Sequence, residues 1–264
     1  MTEVSLARAA AQILSEAQIA CRRIDSLPAH LAPHNLEEAY AIQDAFVEIG
    51  GGKAGYKVAQ SKDVLSPVEE MVYAPLLKRD VPQSPAVISL PPSGLIVVEG
   101  EIGYRLIRDL PSRNTPYSED EILDAVEALP AIEILWSRFS DVAKVDGYSK
   151  IADLIFSGAY VTGTPIKNWR KNLPDILPAC VTVNGKDVFK SDAVPHPNGR
   201  PYSSLLWFAN EGARRLGGLK KGEVVATGSY TGAPLIAPPA RIELEFKGFG
   251  GVSVEIRNGQ GNVS

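Results

Sequence analysis

Several residue types that other protein classes depend on are scarce in this sequence. Its 264 residues include two cysteines, Cys21 and Cys180, which lie far apart and form no Cys-x-x-Cys pattern. That spacing favours two free thiols over a disulfide or a zinc site, and it indicates a reducing compartment. No apolar run is long enough to span a bilayer, and the N-terminal segment predicts an amphipathic helix rather than a signal peptide. We therefore expect a cytoplasmic protein without a membrane partner.

Positive charge and histidine are also in short supply. The formal net charge of -4 argues against a nucleic-acid partner. The three histidines, His30, His34 and His196, lie near prolines in predicted surface loops, which argues against a hydrolase that activates water with histidine. The sequence also lacks a Gly-x-Ser-x-Gly elbow, a Walker phosphate loop and a Rossmann fingerprint. These absences exclude the usual serine-hydrolase and nucleotide-binding interpretations.

The first part of the chain predicts helices followed by a short strand. Its predicted elements are a helix from Ser5 to about Ile24, a helix from Leu36 to Val47 capped by Asn35 and Glu38, and a strand at Tyr56–Ala59. The proline-rich stretch Val81–Ser93 then predicts an extended loop. We expect a domain boundary near residue 80, with an N-terminal helical small domain of residues 1–80 and a β-rich catalytic domain of residues 81–264.

The later part of the chain predicts strands with few intervening helices. Its predicted elements are a helix from about Ser118 to Ala128 with a Ser118-x-x-Glu121 capping box, a helix from Ser203 to about Leu216, and strands at Ala179–Val183, Val224–Thr227, Ile242–Phe246 and Gly251–Ile256. Asn184-Gly185 and Lys247-Gly248 are turn signals between strands. This succession indicates an α+β fold with a mixed, mainly antiparallel sheet that is curled or sandwiched, and not a doubly wound parallel sheet.

The clearest indication of function is a set of carboxylates in apolar surroundings. Glu99 and Glu101 lie in the apolar run Leu95–Ile107, and Glu133 lies in a second apolar run, Ala131–Trp136. Side chains two residues apart on a strand project from the same face, so Glu99 and Glu101 point the same way. Three half-buried carboxylates in one pocket are costly unless a cation lies between them, and Mg²⁺ or Mn²⁺ suits oxygen ligands. The alternative is a solvated Glu-x-Glu pair on an edge strand.

Short motifs along almost the whole chain resemble one known family. They are Ala39-Tyr-Ala-Ile-Gln43, Gly55-Tyr-Lys-Val58, Glu99-Gly-Glu101, Ala131-Ile-Glu-Ile134, Ser137-Arg138, Ile151-Ala-Asp153, Gly199-Arg-Pro201, Leu206-Trp-Phe-Ala-Asn210 and Val225-Ala-Thr-Gly-Ser229. In order and spacing they resemble the fumarylacetoacetate hydrolase superfamily, and within it the branch of 2-oxopent-4-enoate hydratases and 2-oxo-3-hexenedioate decarboxylases. The resemblance implies a β-sandwich or roll domain of that family's C-terminal type. It also implies a metal triad of Glu99, Glu101 and Glu133, and an active-site lysine, Lys57.

The resemblance further implies a divalent-metal-dependent lyase of aromatic hydrocarbon catabolism. We expect it to hydrate a small 2-hydroxy-2,4-dienoate, a 2-oxopent-4-enoate-like acid, to a 4-hydroxy-2-oxo acid. The triad alone does not distinguish this reaction from decarboxylation of 2-oxo-3-hexenedioate. C–C hydrolysis of an acylpyruvate also stays open, as does a non-catalytic homologue that binds a partner lyase. The family implies a homo-oligomer, and a complex with another catabolic enzyme is a further alternative.

Further residues are candidates for the reaction. Lys57 is expected to shuttle a proton or to pair with the substrate carboxylate, and the alternative is a lysine that extends to solvent from a strand end. Asp153 is a candidate catalytic residue that supports the metal ligands, or else an aspartate of a helix start or turn. Ser157, Ser229 and Thr231 are candidate substrate contacts, or else turn residues.

The chain departs from the family's pattern in the predicted pocket. Where close relatives read Ala-Asp-Asn-x-Ser, this chain has Ala152-Asp-Leu-Ile-Phe156, which replaces polar pocket groups with apolar ones. Trp136 stands where an aspartate usually precedes Ser-Arg. Lys78-Arg79 stands where an acidic pair is expected, with Glu69-Glu70 as a candidate in a shifted register. These differences indicate a member of the family with a different substrate tail.

Overall fold

Helices occupy the N-terminal part of the chain and short connections elsewhere. The computed structural model describes residues 3–60, 71–90, 94–196 and 198–259, so Glu69 and Glu70 lie outside the described residues. The α-helices are α1 Glu3–Ile19, α2 Leu36–Ile49, α3 Glu119–Leu123, α4 Gly147–Ala152, α5 Trp169–Asn172 and α6 Ser203–Trp207. Among the described helices, none has both the length and the apolar character needed to cross a membrane.

The strands of the described residues form two large sheets and one small one. In chain order they are β1 Lys53–Gln60, β2 Met71–Leu77, β3 Ala86–Leu90, β4 Ile96–Leu106, β5 Leu110–Pro111, β6 Val126–Leu135, β7 Ser157–Thr162, β8 Ile176–Val183, β9 Lys186–Pro195, β10 Gly218–Leu219, β11 Val224–Ala226, β12 Leu235–Ile236, β13 Ala240–Phe246 and β14 Gly250–Asn258. The larger sheet has the order β2-β1-β11-β4-β6-β7 with β12 paired to β4. The second has the order β3-β14-β13-β8-β9, and β5 pairs with β10.

Most strand pairs are antiparallel. β1 pairs with β11, and β3 with β14, in parallel. The long pairs that form the centre of each large sheet, β4 with β6 and β13 with β14, are antiparallel. This arrangement confirms the predicted α+β fold with a mixed, mainly antiparallel sheet.

Apolar side chains pack the two large sheets against each other. β13 and β14 of the second sheet contact β6 of the larger sheet. Ile102 on β4, Ile132 on β6 and Leu244 on β13 are all buried. Burial of an aliphatic side chain of this size contributes about 1.5 to 3 kcal/mol. This core therefore holds β4 and β6, the strands that carry the three predicted metal ligands, in a fixed register.

The two long helices pack on each other, and α2 also contacts β2. The predicted cap of α2 is present, because Asn35 Oδ1 accepts a bond of 2.9 Å from the Glu38 amide. Helix α1 ends at Ile19 and not near Ile24 as predicted. The cause is a left-handed residue, Cys21 with φ of 49°, followed by a bond of 2.9 Å from the Arg22 amide back to the Ala17 carbonyl.

Strands on both sides of residue 80 share the larger sheet. β1 and β2 precede that residue and pair with each other, and β1 continues the sheet through its parallel pairing with β11. The division into a small domain of residues 1–80 and a catalytic domain of residues 81–264 stays a prediction. Besides α1 and α2, the described residues of the first part form β1, β2 and a 3₁₀ turn at Lys78–Asp80.

Two predicted elements are wrong in extent. Part of the predicted loop, Ala86–Leu90, forms β3, because these residues contain no proline and are free to pair with β14. The helix predicted to reach Ala128 is α3, which has the predicted capping box but ends at Leu123. The helix ends there because the residues of β6, from Val126 to Leu135, pair with the residues of β4 from Leu106 back to Val97. Long-range pairing has therefore overridden the local helical pattern.

The helix predicted from Ser203 to Leu216 is present in three parts. It begins as α6 and continues as a π-helical turn at Phe208–Gly212. A 3₁₀ turn at Arg214–Leu216 completes it, and Gly217 with φ of 75° ends it. The start and end are thus as predicted, while the helical geometry is irregular.

Candidate active site

Three carboxylates meet where β4 and β6 pair. Glu99 on β4 lies directly opposite Glu133 on β6, and Glu101 lies two residues further along β4. Because alternate side chains of a strand share a face, all three project to the same side of the sheet. One carboxylate oxygen from each lies within 4.8 Å of the other two. Glu101 is 1% exposed and Glu133 is 2% exposed. The structure therefore brings together the three residues that the sequence indicated as metal ligands.

Gly100 lets other chain segments approach between the two glutamates of β4. Its amide donates a bond of 2.8 Å to Thr231 Oγ1, and its carbonyl accepts a bond of 2.8 Å from the Tyr230 amide. A Cβ atom at this position would lie 2.7 Å from a methyl carbon of Leu244 and 2.8 Å from Thr231 Cγ2. A larger residue would therefore displace the side chains of Leu244 and Thr231.

Lys57 reaches the carboxylates from β1. Its partner in the sheet is Ala226, the last residue of β11, and beyond that point Gly228 and Ser229 line the pocket. Lys57 Nζ lies 2.8 Å from Glu133 Oε1 and donates a bond of 3.2 Å to the Ile155 carbonyl. The side chain is 5% exposed, so it is not a lysine that extends to solvent from a strand end.

The site holds more negative than positive charge. Burial, Glu133 and Glu99 raise the pKa of Glu101 well above its ordinary value, while Lys57 and a hydrogen bond from Tyr160 act in the opposite direction. Tyr160 donates its hydroxyl proton to Glu101 Oε2 at 3.3 Å. Burial and the nearby carboxylates raise the pKa of Tyr160 in turn, so its hydroxyl stays a donor. Such an arrangement of buried acids attracts a cation.

The three carboxylates fit a hard divalent ion. Oxygen ligands about 2.1 Å from Mg²⁺ lie up to about 4.2 Å apart, and Mn²⁺ accepts the same donor atoms. The observed spacing of the three oxygens, within 4.8 Å, is close to that limit, so small side-chain rotations bring them into range. A divalent ion there would remove the mutual repulsion that raises the pKa of Glu101.

The carboxylates lie in a pocket of about 400 Å³. Its polar lining besides the carboxylates and Lys57 comes from Gln60, Asn198 and Ser229. Its apolar lining comes from Val58, Ala59, Leu135, Ile155, Phe156 and Ala233. Gln60 Nε2 donates a bond of 3.2 Å to Asn198 Oδ1. Sequence reasoning missed these two amides, because Gln60 ends a strand and Asn198 precedes a turn glycine, where amide side chains are common.

An unusual backbone turn forms part of the pocket wall. Leu154, Ile155 and Phe156 have φ values of 54°, 49° and 64°, in the left-handed region that favours glycine. Each such residue costs about 1 to 2 kcal/mol, and the β-branched Ile155 is especially disfavoured there. Ile155 and Phe156 both line the pocket. The sequence departs from its relatives at these residues, but nothing in it predicted their conformation.

A buried ion pair lies behind this turn and supports it. Arg138 and Asp153 are both 0% exposed. The Arg138 guanidinium donates bonds of 3.1 Å to the Asp153 carbonyl and 2.6 Å to the Ser157 carbonyl, on either side of the turn. Asp153 Oδ2 accepts bonds from the Ser137 hydroxyl at 2.9 Å and the Arg138 amide at 3.1 Å. Burial raises the pKa of Asp153 to about 6, against the lowering effect of Arg138.

The remaining predicted site residues differ in position. Ser229 lines the pocket, and its hydroxyl donates a bond of 2.6 Å to the Gly232 carbonyl, as in a turn. Asp153, Ser157 and Thr231 are not among the described residues that line the pocket. Asp153 ends α4 and pairs with Arg138, while Thr231 binds the Gly100 amide. The roles predicted for these three residues in catalysis or substrate binding stay predictions.

The surface position predicted for His196 is wrong. This residue is 3% exposed, and its ring packs edge-on against Tyr230 at a centroid distance of 5.0 Å. His196 Nδ1 accepts a bond of 3.2 Å from the Asn198 amide, and burial lowers its pKa to about 4. The flanking prolines suggested a loop, and the loop folds inward beside the pocket. His30 and His34 are exposed, as predicted.

Known proteins resemble this chain in sequence. No protein-family model matches the chain. A 4-oxalocrotonate decarboxylase of Pseudomonas putida is 31% identical over 134 residues, 50% of this chain and 50% of that protein. The chain therefore spans about half the length of that relative. The 2-keto-4-pentenoate hydratase 1 of Dechloromonas aromatica is 28% identical over 266 aligned residues, 93% of this chain and 95% of that protein.

Solved structures share the fold. The 4-oxalocrotonate decarboxylase from Pseudomonas putida G7, complexed with magnesium and adipate, has a TM-score of 0.80 and 21% identity. That comparison covers 97% of this chain and 98% of the decarboxylase chain. A yeast fumarylacetoacetate hydrolase family protein has a TM-score of 0.54 at 14% identity, covering 79% of this chain and 94% of the yeast chain. At these identities the comparisons establish the fold alone.

Sequence, fold and motif order agree with one another. The alignment to the hydratase extends over almost the whole chain, and the decarboxylase fold covers it to a similar extent. The motif resemblance that runs from Ala39 to Ser229 is thus confirmed. The relatives of the chain include proteins named as a hydratase and a decarboxylase, and a yeast protein named as a member of the fumarylacetoacetate hydrolase family shares its fold.

Proposed function

We propose that this protein is a divalent-metal-dependent lyase that hydrates a small 2-hydroxy-2,4-dienoate to a 4-hydroxy-2-oxo acid. The observation that carries the proposal is the convergence of Glu99, Glu101 and Glu133 in one pocket, with the Lys57 ammonium 2.8 Å from Glu133. Two relatives that align with the chain are named as 2-keto-4-pentenoate hydratase 1 and 2-hydroxyhexa-2,4-dienoate hydratase. Both names describe small unsaturated acids.

Glu99, Glu101 and Glu133 would hold the metal ion, which is Mg²⁺ or Mn²⁺ in this proposal. Structural neighbours are complexed with magnesium or calcium, which supports a divalent ion as the cofactor. When bound, such an ion would polarise the C2 oxygen of the substrate and stabilise enolate charge. The three glutamates would hold it at the pocket because their side chains share one face of the sheet.

Lys57 is the residue placed to move protons. Hydration of the dienol adds hydroxide at C4 and protons at C3 and C5, while the C2 hydroxyl gives up its proton to become a carbonyl. Lys57 Nζ points into the pocket beside Glu133, so it lies within reach of a substrate held at the carboxylates. The amides of Gln60 and Asn198 line the same pocket and are the groups that we expect to hold the attacking water.

Decarboxylation of a 2-oxo-enedioate is the second candidate. It is supported by the sequence match to 4-oxalocrotonate decarboxylase over half of the chain and by the fold match over almost all of it. The same enolate stabilisation assists the departure of a carboxylate, so the triad serves either reaction. The apolar residues at Ile155 and Phe156 favour hydration, because they provide no charge to bind a second carboxylate.

The test is a spectroscopic assay of the purified protein. We expect Mg²⁺ or Mn²⁺ to support loss of the ultraviolet absorbance of 2-hydroxypenta-2,4-dienoate, and Glu101→Gln to abolish it. Glu127→Gln is the matched control, since Glu127 lies on β6 but outside the pocket, paired with Arg105 at 3.3 Å. Release of CO₂ from 2-oxo-3-hexenedioate without loss of the dienoate would assign decarboxylation instead. Binding of the dienoate without turnover of any substrate would indicate a non-catalytic homologue.

A further inference from the structure

We infer that the pocket selects substrates with a single carboxylate and an uncharged, apolar tail. The tail would pack on a surface formed by Leu135, Ile155 and Phe156, which we call the tail wall. This inference rests on the proposed function, because the carboxylate and the 2-oxo group of the substrate are taken to bind at the three glutamates. It goes further by stating which tail the site accepts.

The tail wall lies next to the carboxylates. Leu135 follows Glu133 by two residues on β6, so both side chains point into the pocket from the same face. Ile155 is adjacent to Lys57, whose ammonium binds its carbonyl at 3.2 Å. Phe156 is the next residue of the left-handed turn and also lines the pocket. A ligand held by the glutamates would therefore have apolar side chains beside it in the same pocket.

Charge in the pocket opposes a second carboxylate. Of the described residues that line the pocket, Lys57 is the one with a positive charge, and it lies 2.8 Å from Glu133. Among these lining residues, a divalent ion together with the Lys57 ammonium would balance the three glutamates and leave no surplus positive charge. A substrate with one carboxylate therefore makes the site singly negative, and a dicarboxylate makes it doubly negative. The second carboxylate would also be desolvated against the tail wall without a partner there.

The backbone of the tail wall is fixed before a ligand arrives. The Asp153 and Ser157 carbonyls, on either side of the turn, accept bonds of 3.1 and 2.6 Å from the buried guanidinium of Arg138. Within the turn, the Phe156 carbonyl accepts a bond of 2.7 Å from the Trp136 amide. A wall held by this many bonds does not rearrange easily to admit a charged group. Its shape and polarity therefore act as a specificity filter.

The test compares unreactive 2-oxo acids by isothermal titration calorimetry with Mg²⁺ present. 2-Oxohexanoate and 2-oxoadipate have the same chain length and differ in a terminal methyl or carboxylate group, while pyruvate has no tail. We expect 2-oxohexanoate to bind at least tenfold more tightly than either of the others. Equal or tighter binding of 2-oxoadipate, or of pyruvate, would overturn the inference and leave the proposed function intact. Binding of none of the three with Mg²⁺ or Mn²⁺ would overturn both.

Two variants locate the selectivity on the tail wall. Leu135→Arg adds a cation and should shift the preference toward 2-oxoadipate by at least tenfold relative to 2-oxohexanoate. Val188→Arg, at a residue 44% exposed on β9, is the matched control and should leave the ratio unchanged. Phe156→Ala removes apolar surface and should weaken 2-oxohexanoate binding about tenfold while pyruvate binding stays the same. If neither variant changes the ratio of the ligands, the tail wall is not the selective element.

Discussion

Replacing Glu101 by glutamine is expected to stabilise the metal-free protein while removing its response to metal. One oxygen from each of the three glutamates lies within 4.8 Å of the other two. Two unit charges 4.8 Å apart repel each other by about 3.5 kcal/mol at an effective dielectric constant of about 20. Lys57 offsets part of this repulsion through its proximity to Glu133. We therefore expect Glu101→Gln to raise the free energy of unfolding by about 1 to 3 kcal/mol at slightly alkaline pH.

This stabilisation should disappear in acid. Because the pKa of Glu101 is raised in the folded protein, the folded state binds a proton more tightly than the unfolded chain does. The wild-type protein therefore loses stability as the pH rises from the ordinary glutamate value of 4.5 through the raised pKa of Glu101. Glutamine does not titrate. The two proteins should be nearly equal in stability at the acid end of this range and should diverge as the pH rises.

Urea denaturation monitored by tryptophan fluorescence measures both effects. In the presence of a chelator the glutamine variant should be the more stable protein, and addition of Mg²⁺ should stabilise the wild type far more than the variant. Glu127→Gln provides the matched control, since the half-exposed pair of Glu127 with Arg105 contributes about 0 to 1 kcal/mol with or without metal. A variant less stable than wild type in chelator at every pH would refute the view that repulsion dominates the empty site.

Three further predictions follow from buried groups. Asp153→Asn removes the charge that faces the fully buried guanidinium of Arg138 and should lower the free energy of unfolding by about 3 to 5 kcal/mol. If urea denaturation showed a loss below about 1 kcal/mol, the prediction would be wrong. Lys57→Met should reduce turnover of the dienoate about 100-fold or more while Mg²⁺ affinity is kept or increased, because a positive charge leaves the neighbourhood of Glu133; undiminished turnover in the spectroscopic assay would exclude a proton-transfer role. Burial lowers the pKa of His196 to about 4, so the folded protein holds this imidazole in its neutral form. The stability of the protein should therefore be unaffected by His196 titration above the ordinary pKa of 6.5, and should fall by up to about 3 kcal/mol as the pH decreases from 6.5 toward 4. Denaturation of His196→Gln at several pH values should show a flatter dependence over that range than the wild type, and an unchanged slope would show that His196 is not responsible.

Features set by local sequence periodicity were predictable. The period of two along a strand is enough to place Glu99 and Glu101 on one face, and their positions on β4 agree with it. The caps at Asn35 and Ser118 were equally predictable, because a cap depends on residues three positions apart. The position of Glu133 opposite Glu99 was not predictable from periodicity, since an apolar run indicates a strand but not the strand that pairs with it. Its apolar surroundings suggested a pocket shared with the other two, and the family resemblance implied that the three form a metal triad.

Features that depend on distant parts of the chain were not predictable from pattern. β3 lies in a proline-rich stretch and forms because β14 is available beside it. The helix after Ser118 stops early because residues from Val126 onward pair with β4. His196 is buried because its loop packs against Tyr230, a contact that flanking prolines do not reveal. In each case tertiary pairing or packing outweighs a weak local preference.

By itself the sequence determined the chemical content of the site: three carboxylates in apolar runs, one lysine and an unusual apolar segment at Leu154–Phe156. Only the tertiary structure decided how that content is arranged. It set Glu133 opposite Glu99, brought Lys57 to 2.8 Å from Glu133, and forced the apolar segment into a left-handed turn supported by Arg138. The physical reason is that residue type fixes charge and polarity, whereas distances between groups far apart in the chain follow from strand register and core packing.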